Sequence, residues 1–173
     1  MNDTVVVIIA IVISAVLLFI FPLITMADRS DDISQLSVQT AVDEFTSEVR
    51  TTGKITDGNY NELVQSITST GNLYDVEMEI QVKDENLGKK VSQAQSDKIG
   101  ENVYYSIYTP QISEEIDNKG VYYCKEGDMF LVKVENTNQT ISQQLQNFFY
   151  TITGNDAYTI SASAGGIVTA NGK

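Results

Sequence analysis

The clearest group of chemically capable side chains is a row of three carboxylates at every second position. Asp75, Glu77 and Glu79 alternate with apolar residues between Leu73 and Val82. This alternation predicts a half-buried strand with all three carboxylates on one face. Such a row could bind a divalent cation or transfer protons, but it is also what the solvent face of a strand looks like. No glycine-containing calcium loop or second liganding segment accompanies the row, which favours the solvent-face interpretation.

Other groups that carry nucleophilic or metal chemistry are scarce. The sequence contains no histidine, which excludes Ser-His and Cys-His pairs and imidazole ligands. Its one cysteine, Cys124, lies between Tyr123 and Lys125, a setting more typical of a strand residue than of a nucleophile. The sequence also lacks a phosphate-binding loop and any metal-ligand spacing. We therefore predict a non-enzymatic protein with no cofactor, no metal site and no small-molecule substrate.

The charge balance excludes further classes of partner. The 173 residues include 23 acidic and 11 basic side chains, a net charge of -12. Nucleic-acid binding needs clustered Lys and Arg, so the composition argues against it. It argues equally against adhesion to anionic lipid by charge alone. A chain of this length is sufficient for one domain and an anchor.

The N-terminal region is strongly apolar. Val5–Ile24 is a run of 20 residues with one Ser, one Pro and no charge. A helix of that length rises roughly 30 Å, the thickness of the hydrocarbon core of a bilayer. A secretory signal peptide is the alternative, but it would have Lys or Arg before a shorter core. We therefore predict a transmembrane anchor over residues 1–27 and a single soluble α+β domain over residues 28–173.

The anchor helix is predicted to continue into the domain. Within Ile33–Arg50, apolar residues recur at spacings of four, three and four, at Val38, Val42, Phe45 and Val49. Nothing between Asp28 and Asp32 compels a break, although Asp31 could cap a new helix. A continuous helix over Val5–Arg50 would be roughly 70 Å long, with a kink at Pro22. Gly53 is expected to end it. The second half of this helix must cover a sheet built from the rest of the chain.

The remaining segments predict short helices and several short strands. Helices are expected over Thr56–Ser69, Thr109–Asn118 and Thr140–Ile152. Strands are expected over Leu73–Val82, Asn102–Tyr108, Val121–Cys124, Met129–Glu135 and Ala157–Thr169. We expect the Val121 and Met129 strands to form a hairpin, and Asn59 and Glu62 to form a capping box. We also expect Thr109 to cap its helix with Pro110 in the first helical position, Lys83–Gly100 to be a polar loop and Gly154–Asp156 to be a turn. The fold class is thus α+β, a long helix packed on a small, mainly antiparallel sheet with short helices.

Small residues in the anchor predict a helix-packing surface. Ala10, Ser14 and Ala15 would let a second helix approach closely, and Ala10-x-x-x-Ser14 is the one small-xxx-small pair. The residues proposed for membrane anchoring and helix packing are Val5, Ala10, Ser14, Ala15, Pro22 and Ile24. The expected partners are the lipid bilayer and a second membrane helix.

Three stretches carry a resemblance to a known family: Phe45–Glu79, Glu101–Tyr108 and Asn147–Ala157. Together with the helix that starts apolar and becomes amphipathic, they resemble small membrane-anchored, pilin-like proteins of Gram-positive bacteria. Members are minor pilins or pseudopilins of Tad-type and type IV pilus-like systems. The resemblance implies a structural or assembly subunit of a cell-envelope pilus or secretion apparatus. Its partners would be other pilin-like subunits, or itself, through the N-terminal helix.

Two features depart from the family pattern, and a third feature, Arg29, bears on the orientation in the membrane. Prepilins usually carry a basic leader ending in glycine, whereas this chain starts almost directly at its apolar segment, and Asp3 matches the early acidic residue of pilins only loosely. Arg29 leans toward a cytoplasmic domain by the positive-inside rule. The resemblance implies that the domain is extracytoplasmic and that the protein could be part of an extracellular filament. We adopt that orientation.

An extracytoplasmic binding or sensor module on the same anchor is the alternative function. The nine tyrosines and the Lys83–Gly100 segment would form its surface. The simpler interpretation places the tyrosines on sheet faces and in the core.

Overall fold

The computed structural model describes residues 2–83, 104–150 and 159–173 of this α+β chain. Its helices are α1 (Asn2–Thr52), α2 (Asp57–Thr68), α3 (Thr109–Lys119) and α4 (Ile141–Tyr150). Its strands are β1 (Lys54–Thr56), β2 (Tyr74–Lys83), β3 (Tyr104–Tyr108), β4 (Val121–Tyr123), β5 (Met129–Asn136) and β6 (Ser161–Ile167). The expected loop at 84–100 and the expected turn at Gly154–Asp156 lie outside the described residues.

The first helix, α1, is continuous over 51 residues, as the sequence predicts. Pro22 lies inside it, and the helix continues on both sides. It ends at Gly53, which adopts φ 67° and donates its N–H to the Val49 carbonyl at 2.8 Å. A Cβ on Gly53 would lie only 2.4 Å from the Ala170 carbonyl oxygen. Glycine is therefore required here both by the left-handed backbone and by the close approach of the C-terminal segment.

Four strands form an antiparallel sheet in the order β3-β2-β5-β6. Strand β2 is central and pairs Ile80 with Ile107 of β3 and with Phe130 of β5. Its side chains alternate as predicted: Val76, Met78, Ile80 and Val82 are buried. The three carboxylates consequently occupy the opposite, outer face of the sheet.

The second half of α1 covers the inner face of this sheet. Val38, Val42 and Val49 are fully buried, and Phe45 packs edge-on against Phe130 with ring centroids 5.9 Å apart. Burying a side chain of this size contributes about 1.5–3 kcal/mol. The apolar stripe predicted on this half is therefore confirmed as the spine of the core. Helix α2 also packs against α1.

The predicted hairpin between the Val121 and Met129 strands is wrong. Strand β4 pairs instead with β1, where Ile55 lies opposite Tyr122, and β5 lies between β2 and β6. The connection between β4 and β5 is held by distant backbone groups. The Cys124 N–H donates to the Gly53 carbonyl at 2.8 Å, and the Gly127 N–H donates to the Val168 carbonyl at 2.9 Å. These partners are far away in sequence, so local patterning could not reveal them.

The capping box predicted at Asn59 and Glu62 is also wrong. Thr56 is the N-cap of α2: its hydroxyl accepts the Asn59 N–H at 3.2 Å, and its own N–H donates to the Asn59 side chain at 2.9 Å. The box therefore lies three residues earlier than expected. The residues before it form the short strand β1, which none of the expected strand ranges includes.

The start of α3 also differs by one residue. Thr109 was expected to cap this helix, but it is the first helical residue and Tyr108 is the N-cap. The Thr109 hydroxyl instead accepts the Met78 N–H of β2 at 2.7 Å. Pro110 still occupies the first turn, and Gly120 closes the helix with φ 76°.

Candidate functional site

The first half of α1 exposes a long apolar surface. Its large apolar side chains between Val5 and Leu23 are 39–71% exposed, apart from Ile20, which is half-buried. Among the described residues, α1 is the one helix that is long and apolar enough to cross a membrane. Leaving so many contiguous apolar groups in water is strongly unfavourable, so this surface requires an apolar environment from outside the chain.

The six residues proposed from the sequence for anchoring and packing all lie on this half of α1. Val5, Ala10, Ser14, Ala15 and Pro22 are exposed, and Ile24 is half-buried. Ala10 and Ser14 lie one turn apart on the same side of the helix, where a second helix could approach. The structure does not gather the six into a cleft; they form part of a continuous helical surface.

A pair of carboxylates joins α1 to α4 just beyond the apolar half. The Thr140 hydroxyl donates to the Asp31 carboxylate at 2.6 Å, and the Ser142 hydroxyl donates to the Asp28 carboxylate. Asp31 is 9% exposed. We call these two hydroxyl–carboxylate pairs the base clamp. Sequence reasoning missed it because the partners lie more than 100 residues apart and carry no local pattern.

Electrostatics at the base clamp act on Asp31. Burial raises its pKa above the usual value for an aspartate, and repulsion from Asp28 and Asp32 raises it further. The hydrogen bond from Thr140 opposes this shift by stabilising the charged form. Removing water from the carboxylate is the largest of these effects.

The base of the domain lies level with the end of the apolar helix. A recess of about 520 Å³ is lined by Leu23 and Met26 of α1 together with Gly71, Asn138 and Ile141. The connection between α2 and β2 and the connection between β5 and α4 therefore lie beside the last turns of the apolar segment. Ile141 is 72% exposed at this level.

The outer face of the sheet carries a second concave surface, a groove of about 760 Å³. Two of its three carboxylates, Glu77 and Glu79, have polar or charged neighbours. Glu79 accepts hydrogen bonds from Ser106 at 2.6 Å and Gln81 at 3.0 Å, and these bonds lower its pKa. Glu77 lies opposite Lys133 in the sheet. The described residues contain no group of three or more His, Cys, Asp or Glu side chains that could hold a metal ion.

Four tyrosines of β3 and β4 are exposed: Tyr104, Tyr105, Tyr108 and Tyr123. Tyr104 and Tyr108 lie on the outer face, whereas Tyr105 lies opposite the inward-facing Val82 and Tyr123 belongs to the small β1–β4 sheet. Tyr108 lines the groove and lies opposite Glu79. These four tyrosines are thus surface residues and not part of the core.

Cys124 is only 2% exposed. Burial raises the pKa of its thiol to about 12, so the reactive thiolate does not form at neutral pH.

Comparison of the chain with protein-family models, with curated proteins and with solved structures finds no match.

Proposed function

We propose that this protein is a membrane-anchored, non-enzymatic subunit that builds or assembles a pilin-like structure of the cell envelope. The observation that carries the proposal is the division of α1. One unbroken helix has an apolar half that the protein leaves exposed and a second half that forms the spine of a folded domain. The domain would comprise residues 28–173 and lie outside the cytoplasm, and residues 1–27 would be the anchor.

A helix of this kind suits a subunit that passes between two apolar environments. In a bilayer, each central Leu, Ile, Phe or Val favours insertion by about 0.3–0.6 kcal/mol. In an assembly, neighbouring helices would cover the same side chains by close packing, which Ala10 and Ser14 allow. Both states satisfy the apolar surface, so the subunit could be stored in the membrane and then added to a pilus or secretion apparatus.

Thiol labelling of intact cells tests the orientation. The buried Cys124 should not react in the native protein, which makes it a silent background. Ser66 of α2 is exposed and can be replaced in a Ser66→Cys variant. We expect a membrane-impermeant maleimide to label this variant on intact cells. Labelling that requires lysis would place the domain in the cytoplasm and contradict the proposed orientation.

Disulfide cross-linking in native membranes tests assembly. Ala10→Cys lies on the proposed packing side, and Val12→Cys lies two residues away on roughly the opposite side of the helix. We expect Ala10→Cys to cross-link to another subunit, of its own kind or of another pilin-like kind, more strongly than Val12→Cys. If both variants remain in the membrane and neither cross-links to any envelope protein, the assembly role is wrong.

A membrane-anchored extracytoplasmic binding or sensor module is the second candidate. The groove on the outer sheet face supports it, because Tyr108, Leu131 and Lys133 offer aromatic, apolar and charged contacts together. Ser163 lines the same groove and is exposed, so Ser163→Trp should fill it without disturbing the core. If filling the groove abolishes the protein's function in cells while cross-linking at Ala10→Cys is unchanged, the binding module is favoured over the assembly subunit.

A further inference from the structure

The base clamp fixes the direction in which α4 runs along α1. Thr140, just before α4, binds Asp31, whereas Ser142, in its first turn, binds Asp28. Moving toward the C-terminus along α4 therefore means moving toward the N-terminus along α1. The two helices start antiparallel, and α4 is directed from the domain toward the apolar half of α1.

The length of α4 is sufficient to carry it past the level of Asp28 along α1. Its ten residues rise about 15 Å, which equals the rise of about ten residues of α1. Starting level with Asp28, an antiparallel helix of this length reaches the level of the last turns of the apolar segment. In that segment Ile20 and Ile24 are half-buried, whereas the adjacent Phe19 and Phe21 are exposed. The covered positions continue the side of α1 that carries Asp31.

The composition of α4 differs from that of the other two short helices. None of its ten residues is charged, and half are apolar or aromatic. In contrast, α2 contains Asp57 and Glu62, and α3 ends with an ion pair between Lys119 and Glu115. Ile141, in the first turn of α4, is 72% exposed beside Met26 and Leu23. The other half of its residues is polar but uncharged, so α4 has the mixed composition of a helix that lies at the boundary between lipid and water.

We propose that α4 is a second membrane contact, an interfacial helix embedded beside the anchor with Ile141 in the lipid. The proposal rests on the membrane anchoring of α1 proposed above. The partner is the boundary between headgroups and acyl chains, where helices of this type lie about 5–10 Å deep. Because α4 is uncharged and the chain is acidic, the contact is apolar and needs no anionic lipid.

Two membrane contacts have a mechanical consequence. A domain held by one helix can swivel about it, whereas a domain held at α1 and α4 has a fixed face toward the bilayer. The base clamp ties the two contacts together through Asp28 and Asp31. The outer sheet face and the exposed side of α1 would then be presented at a defined orientation to neighbouring subunits.

Fluorescence quenching by brominated lipid tests the proposal on the full-length chain. Three single-site variants, Leu17→Cys in the anchor, Ile141→Cys in α4 and Ser66→Cys in α2, are labelled with an environment-sensitive fluorophore; Cys124 remains as the buried background. Leu17→Cys is labelled in detergent before reconstitution. The proteins are placed in phosphatidylcholine vesicles with or without bromine on the acyl chains. We expect quenching at positions 17 and 141, and none at position 66.

The three positions separate the possible failures. Quenching at 17 without quenching at 141 would overturn the lipid contact of α4 and leave the anchor intact. No quenching at 17 would overturn the anchoring of α1 itself. If position 141 is unquenched but transfers energy between differently labelled copies, its occupant is a second copy of the chain and the lipid proposal is wrong.

Discussion

The two halves of α1 belong to one helix but satisfy their apolar side chains in opposite ways. Phe45, in the second half, is 4% exposed and packs against Phe130, whereas Phe19, in the first half, is 71% exposed. The second half is amphipathic because its own domain covers one stripe. The first half is apolar all round, so an apolar environment has to surround it. The comparison teaches that one helix can join a fold and an external apolar environment without a break.

The largest effect should come from placing charge in the first half. Each Lys at the centre of a membrane helix costs about 2.5–3.5 kcal/mol on insertion scales. The double variant Ile9→Lys/Val16→Lys should therefore shift the protein from the membrane fraction to the aqueous or degraded fraction. Ile33→Lys/Thr40→Lys has the same spacing on exposed positions of the second half and should stay in the membrane. Equal fractionation of the two variants would contradict the division of α1.

Truncating a phenylalanine should affect the stability of the domain in the second half of α1 and not in the first. Phe45→Ala leaves a cavity against Phe130 and should lower the free energy of unfolding by about 3–5 kcal/mol. For a chain of this size that corresponds to a fall in Tm of about 10 °C. Phe19→Ala should leave the Tm of the domain unchanged. Thermal unfolding of both variants in detergent micelles, followed by near-ultraviolet circular dichroism, measures the difference.

The close packing at the end of the second half, at Gly53, can be tested by substitution. Gly53→Ala combines an unfavourable positive φ with a Cβ that would contact the backbone of Ala170 and Gly172. Gly71 has a similar positive φ, 83°, but open space around its Cα. We expect Gly71→Ala to lower the free energy of unfolding by about 1 kcal/mol. Gly53→Ala should lower it by clearly more, and equal effects in denaturant titrations would show that the C-terminal segment is not held against this turn.

The smallest effect concerns the junction between the halves, at Asp31. Because its pKa is raised in the folded state, the folded protein binds the proton more readily than the unfolded chain does. Stability is therefore lost as pH rises from about 3.8, the ordinary value, through the raised value in the fold. Asp31→Asn removes this loss while its amide oxygen can still accept from Thr140. We expect this variant to match the original protein in strong acid and to exceed it in stability at neutral pH.

Asp43→Asn provides the control for that pH series. Asp43 lies on the exposed face of the same helix, and its substitution removes the same single negative charge. A pH profile of Asp31→Asn that follows that of Asp43→Asn would mean that burial at the junction has no effect.

Periodicity predicted those elements whose faces differ in exposure. The stripe of Val38, Val42 and Phe45 and the alternation around Met78 and Ile80 both depend on a core along one side, and both are confirmed. The same reasoning missed β1, and it predicted the strand at Val121–Cys124 but gave that strand the wrong partner. Three-residue strands contain too few residues to show a period, and their pairing depends on the backbone at Gly53.

The candidate site divides in the same way. The apolar segment Val5–Ile24 could be located from composition, because a 20-residue uncharged apolar run has few alternatives. The base clamp could not, because Asp31 and Thr140 lie 109 positions apart in the sequence. Nothing in the sequence around either residue distinguishes it from an ordinary helix-cap residue.

The sequence by itself determined the apolar length of the first half of α1, the buried stripe of the second half and the two-faced strand β2. Each is a property of consecutive residues, and burial follows from their spacing. Only the tertiary structure decided that β4 joins β1, that α4 starts antiparallel to α1 and that Ile141 lies level with Met26. Those facts depend on where the chain returns in space, and that is set by the packing of the whole domain on α1 and not by any local pattern.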